Sequence, residues 1–457
     1  EHRHGYFTRS ATDDAARGGA SAKSVVSLNR YGKAQGSASR HGWETAGSED
    51  QYARWNISQT GSSADGSDDY RNEMNTYGYM VEVDPYDKAQ AIRKRTALGR
   101  FAHESAAFGV PAQGRPLAVY MGDDSNGEYI YKFVSAAAWS EADGNPANRI
   151  TTGDKYLDAG KLYVAQFSED GSGRWIELAI ANPAIAGFAA YRVADQADVL
   201  VNARLAADAV GATKMDRPEW CAVHPVTGEV YYTLTNNSNR KVEPSGSSQM
   251  AVDPANPRSY ADAPSTSAGN VNGHIIRWRE AGGDAAATTF DWDIFAFGAR
   301  ASYPVNINVS GLTNANDFSS PDGLWYDERG ILWIQTDDSA YTDVTNCMML
   351  AAVPGEVGDG AAVTIGTQST FVGALPTEQT LRRFLVGCVE CEITGVDTTP
   401  DGRTLFVGVQ HPGDGGSTTA PSGHWPDSQA TGTAGASVRP RSAVVVVTKD
   451  DGGVVGL

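Results

Sequence analysis

The residues of this chain best suited to chemistry are carboxylates in apolar company. Glu104 lies in Phe101-Ala102-His103-Glu104-Ser105-Ala106-Ala107, a small and apolar run. A carboxylate buried there is costly unless it is paired or bound to metal. Arg217-Pro218-Glu219-Trp220 sets two charges around a proline, which fixes φ and makes a rigid bend. This reads either as a plain salt bridge or as a metal-ligating Glu219 beside an Arg217 that grips an oxyanion. Asp322 stands ahead of an apolar strand, either as a turn residue or as a carboxylate turned into a central channel. Glu392, in Glu392-Ile393-Thr394-Gly395-Val396-Asp397, is again a carboxylate within a strand-like run.

Other chemistries lack their motifs. There is no Gly-x-Ser-x-Gly nucleophile elbow, no phosphate loop of the Walker type, no dinucleotide fingerprint and no His-Glu-x-x-His. The four cysteines are Cys221, Cys347, Cys388 and Cys391. Cys388-Val389-Glu390-Cys391 has ligand spacing but no second pair, so a buried or disulfide-linked role is favoured over zinc.

These residues need a scaffold, and composition narrows which one. At 41% hydrophobic residues the chain carries a core and is not disordered. A formal charge of −18 argues against a nucleic-acid partner and supplies carboxylates for hard cations. No apolar run is long enough for a membrane span. The opening run Glu1-His2-Arg3-His4-Gly5-Tyr6-Phe7 does not itself read as a signal peptide, with no charged stretch followed by an apolar one.

A turn-plus-strand unit recurs. It runs from Pro321 to Asp337, from Pro400 to Gln410, from His224 to Thr235 and, more loosely, from Asp124 to Val134. Each places a glycine in a polar turn before alternating β-formers, as though the chain turned there and entered an inner strand. Gly160–Phe167 and Gly273–Trp278 read as further strands. Recurrence at long, uneven intervals predicts an all-β chain, a β-propeller with long loops and a few short helices; a sandwich is the alternative. One helix is expected over Asp195–Val210, capped by Asp195 and stopped by Gly211. Nothing divides the chain, so residues 1–457 are expected to form one domain.

Several of these segments, in this order, resemble the PhoX family of bacterial alkaline phosphatases. They are Tyr77–Pro85, Thr96–Glu104, Met215–Trp220, Ser320–Leu324, Cys391–Gly395, Gln410–Gly413 and Arg441–Val447. The resemblance runs from end to end. It implies an irregular six-bladed β-propeller hydrolysing phosphate monoesters at a central cluster of two ferric and three calcium ions bridged by an oxo group. Carried over by position, Glu104 and Glu219 resemble iron-site carboxylates, Arg217 the phosphate-gripping arginine, and Asp322 and Glu392 calcium ligands. The family's Cys-Glu-Glu-Asn type segment, whose thiolate binds iron, has no counterpart here; Glu1 is the candidate remnant of it, and the N-terminal part of the propeller is expected to be missing. The resemblance also implies export to the periplasm or beyond by the twin-arginine route, with small phosphate esters as partners and a monomeric state. A calcium-dependent propeller lactonase and a non-catalytic binding propeller are the alternatives.

Overall fold

The computed structural model describes residues 4–262, 265–337, 344–428 and 439–456. Strands β1 (His103–Phe108), β2 (Pro116–Asp123), β3 (Ile130–Ala138), β4 (Gly160–Phe167) and β5 (Ser172–Glu177) follow one another antiparallel as a first unit. A second unit comprises β6 (Pro218–Val223), β7 (Val230–Leu234), β8 (His274–Glu280) and β9 (Thr289–Phe297). β5 and β9 pair at their outer edges, with Phe290 opposite Gly173. A Cβ at position 173 would lie 2.1 Å from the Phe290 ring, so glycine is what lets this seam close.

Strands β10 (Pro321–Tyr326), β11 (Leu332–Thr336) and β12 (Met348–Ala352) begin a third unit. A hairpin of β13 (Ala361–Ile365) and β14 (Gln368–Val372) then leaves it and docks on β9, Val372 meeting Ile294. β15 (Leu381–Val386) returns to pair with β12. A fourth unit is β16 (Glu392–Thr398), β17 (Thr404–Gln410) and β18 (Ala443–Thr448). This is propeller architecture: antiparallel units whose first strands, β1, β6, β10 and β16, lie side by side.

Those first strands share a defect. In each, one extra residue enters the pairing: between His103 and Ala106, Pro218 and Cys221, Pro321 and Leu324, and Ile393 and Val396. A bulge leaves backbone groups without ladder partners. Here hydroxyls from neighbouring units take them up. Ser105 Oγ donates to Glu219 O at 3.2 Å and accepts from Cys221 N at 3.0 Å. Thr233 and Thr235 donate to Asp322 O and Pro321 O at 2.7 and 2.9 Å. The bulges of the first three units are therefore tied to one another.

Three turns come out as expected in chemistry, with Gly228, Gly330 and Gly402 at positive φ. They differ in place. Each leads into the second strand of its unit, and the inner strand precedes the turn. Gly127 turns the chain from β2 into β3. The expected helix is two, α2 (Gln196–Val201) and α3 (Ala203–Ala209), after an earlier α1 (Lys23–Arg30). Asp195 caps as expected, accepting from Asp198 N at 2.8 Å. Asn202 breaks the run because its side chain binds Ser27, Tyr191 and Asp198 instead of pointing to solvent. The cysteines are buried and unbridged, which excludes the disulfide reading. Among the described residues no helix is long and apolar enough to cross a membrane.

A buried polar chain holds the corner ahead of β6. Asp216 accepts from Arg240 Nε (2.8 Å), Asn237 Nδ2 (2.7 Å) and Asn270 Nδ2 (3.0 Å). Asn270 also donates to His274 Nδ1 at 3.0 Å, and His274 Nε2 donates to Ala255 O at 2.8 Å. Both ring nitrogens are thus used in the neutral form, and burial pushes the His274 pKa down to about 4. The unfolded chain binds the proton near 6.5, so this histidine's stabilisation is whole above pH 6.5 and is lost as pH falls towards 4. Its loss is worth about 3 kcal/mol at most. Urea unfolding of wild type against His274→Gln across that window should show the variant losing about one proton of pH slope; equal slopes would refute the assignment.

Candidate metal centre

The start of each inner strand delivers a carboxylate. Glu104, Glu219 and Asp322 are each the second residue of their strand and lie inside the bulge. Glu392 opens β16, and Thr394 holds the bulge position there. The residue just past the second strand of the first, third and fourth units adds a further group. Asp124 follows β2, Asp337 follows β11 and His411 follows β17. Two clusters result. Carboxylate oxygens of Glu104, Asp124 and Glu219 lie within 4.8 Å of one another, as do ligand atoms of Asp337, Glu392 and His411.

Asp322 lies between the clusters electrostatically. Burial raises its pKa most, followed by the charges of Glu392, Asp337, Glu104 and Asp124. Glu219 is raised by burial, then by Asp322 and Asp124, with Arg217 opposing. Glu392 is raised by burial and Asp337, and Asp337 by burial. The carboxylates are buried with more negative charge than their neighbours offset.

Arg217 is the cation set against them. Its Nε is 2.9 Å from Asp124 Oδ1 and its Nη2 3.2 Å from Asp124 Oδ2, a bidentate pair. The same Nη2 lies 2.6 Å from Glu219 Oε1, but out of line for a hydrogen bond, and Glu219 Oε1 is a buried oxygen without one. Nη1 has no hydrogen-bond partner among the described residues, and the side chain is 27% exposed. Its backbone is held at φ 55°, directly before Pro218. Ser320, Glu390 and His411 are the other described non-glycine residues at positive φ, and all four flank the clusters. Such conformations persist where surrounding structure enforces them, often at functional sites.

The expected site residues Glu104, Arg217, Glu219, Asp322 and Glu392 are thus brought together. Glu1 lies outside the described residues. The sequence reading missed Asp124, Asp337 and His411. The available signal was positional: each directly follows the second strand of a unit whose first strand already carried a candidate.

Hard cations suit this donor set. Oxygen donors dominate, charge is in excess, and a buried Glu219 oxygen makes no hydrogen bond among the described residues.

Comparisons with known proteins agree. The chain is similar to Pseudomonas fluorescens PhoX in complex with vanadate, a transition state analogue, with 35% identity and a TM-score of 0.73 over 100% of this chain and 68% of that one. A GH43_1 enzyme from Xanthomonas citri aligns at 11% identity over 69% of this chain and 86% of that one, but its TM-score of 0.21 carries no weight. No curated protein matches. The sequence pattern of the family described as alkaline phosphatase PhoX matches residues 15–413. The chain belongs to the PhoX family of alkaline phosphatases.

Proposed function

We propose that this chain hydrolyses phosphate monoesters at a cluster of hard cations held by Glu104, Asp124, Glu219, Asp322, Asp337, Glu392 and His411. The observation that carries the reading is the gathering of six buried or half-buried carboxylates, from matching places in successive units, around one arginine whose Nη1 has no hydrogen-bond partner among the described residues. Family membership supports two ferric and three calcium ions, export to the periplasm or beyond by the twin-arginine route, and one six-bladed propeller domain that acts as a monomer. A lactonase would need a single divalent ion and no arginine beside Glu219, and a binding propeller no buried carboxylate cluster. Both fit these residues less well.

Phosphoryl transfer is governed by positioning and charge neutralisation. Bound cations supply Lewis acidity and neutralise the phosphoryl oxygens. The chain's own residues do the rest. Asp124 fixes the Arg217 guanidinium with two hydrogen bonds, which leaves Nη1 to meet a non-bridging oxygen. The buried network at Asp216 and the rigid Pro218 keep that arginine from swinging away. The strands hold the carboxylates in place before substrate arrives.

Arg217→Ala should lower kcat/KM by about a hundredfold or more, the cost of one well-placed donor, with metal content unchanged. Loss of metal in parallel would make Arg217 structural. Elemental analysis of purified protein should find iron together with calcium; calcium alone favours the lactonase reading. In metal-free buffer Glu219→Gln should melt higher than wild type, by on the order of 1 kcal/mol, because it removes one of several mutually repelling buried carboxylates that share a single arginine. The same variant should lose metal-dependent stabilisation, and a variant that keeps it would remove Glu219 from the ligand set.

A further inference from the structure

One buried polar side chain beside the cluster has no role in the account above. Gln335, on β11, is 0% exposed, and neither its Oε1 nor its Nε2 has a hydrogen-bond partner among the described residues. An amide sealed in an apolar interior with both ends unsatisfied is strongly disfavoured, so natural cores rarely keep one without a partner.

Its surroundings locate the partner it lacks. Side chains alternate along a strand, so Trp333, Gln335 and Asp337 share a direction. Trp333 belongs to the buried cluster that also holds Cys391 and Ile393, around the start of β16. Gln335 is therefore turned towards the fourth unit, whose inner strand β16 packs on β11 and opens with Glu392. Its head sits against the β10 bulge: a Cβ at Gly323 would come within 2.3 Å of Gln335 Oε1. Gly323 directly follows Asp322, and its φ is not in the left-handed region. Glycine is thus needed here for room and not for backbone freedom, and the room is filled by the amide. Asp322 precedes this cradle, Asp337 follows Gln335 by two residues, and Glu392, which shares a cluster with Asp337, opens the strand of the next unit on which β11 packs.

We infer that Gln335 is a ligating and positioning residue of the cluster, whose amide oxygen supplies a neutral donor to a hard cation shared with Asp322, Asp337 and Glu392. This rests on the cation-cluster reading of the site. Calcium accepts Gln carbonyl oxygens among its ligands, and a neutral donor adds coordination without adding repulsion among carboxylates.

The test uses calcium alone. Wild type, Gln335→Met and Gln335→Glu are stripped of metal, titrated with calcium and melted, and bound calcium is counted per chain. Gln335→Met keeps the length of the side chain and removes both polar atoms. It should need roughly tenfold more calcium, or still more, to reach half of the wild-type melting shift. Without metal it should melt at or above wild type. Gln335→Glu keeps the oxygen and should retain calcium. Superimposable titrations of wild type and Gln335→Met would overturn the inference. If Gln335→Met does not fold, Gly323→Ala, which crowds the amide without deleting it, must weaken calcium in the same direction, and an unchanged titration there overturns the inference equally. A wild type without any metal-dependent shift would bring down the cluster reading itself, an outcome distinct from a failure confined to Gln335.

Discussion

Like charges held close in a dry environment repel strongly, and this fold concentrates them at one place. Asp322 is pushed towards its neutral form by burial and by four other carboxylates. Such a group persists only if something rigid prevents the strands from moving apart. That rigidity comes from the sheet units behind it. β1, β6, β10 and β16 are each backed by further strands, and hydroxyls of Ser105, Thr233 and Thr235 join one bulge to the next. The negative charge is thus a load on the structure when no cation is bound and a binding site when one is.

The bulge is how this charge is aimed. An ordinary strand alternates its side chains between two faces, both of which here pack against neighbouring units. One additional residue breaks that alternation and turns a carboxylate away from the packed faces. Using the same defect in successive units yields converging ligands without any special loop. The fourth unit departs from the rule: Thr394 occupies the bulge, and Glu392 reaches the site from the strand's first residue, steadied by Gln410 and His411.

Arg217 depends on two networks at once. Asp124, from the first unit, orients its guanidinium, while Asp216, anchored by Arg240, Asn237 and Asn270, fixes the backbone one residue earlier. His274 belongs to the second network, which carries the site's geometry well behind the charges themselves. Remote residues of this kind act by keeping a functional side chain in one orientation.

Much of this was legible in the sequence. A glutamate among small apolar residues at 104, the Arg217-Pro218-Glu219 bend and the glycine turns are local signals, since burial cost, fixed φ and positive φ are properties of a residue and its neighbours. The ordered motifs named the family. Local signals could not tell an inner strand from a second strand, because both alternate alike; only pairing distinguishes them. Asp124, Asp337 and His411 carried no local signal because their function comes from the strands they end, opposite partners up to 95 residues away in the chain, as Glu219 is from Asp124. The break at Asn202 was hidden for the same reason, as it takes Ser27 from a distant helix to draw the side chain away. The sequence determined which groups would be costly to bury and where the chain must turn. Tertiary structure decided which of them meet, because convergence of charge is a relation between strands and is written in no single one of them.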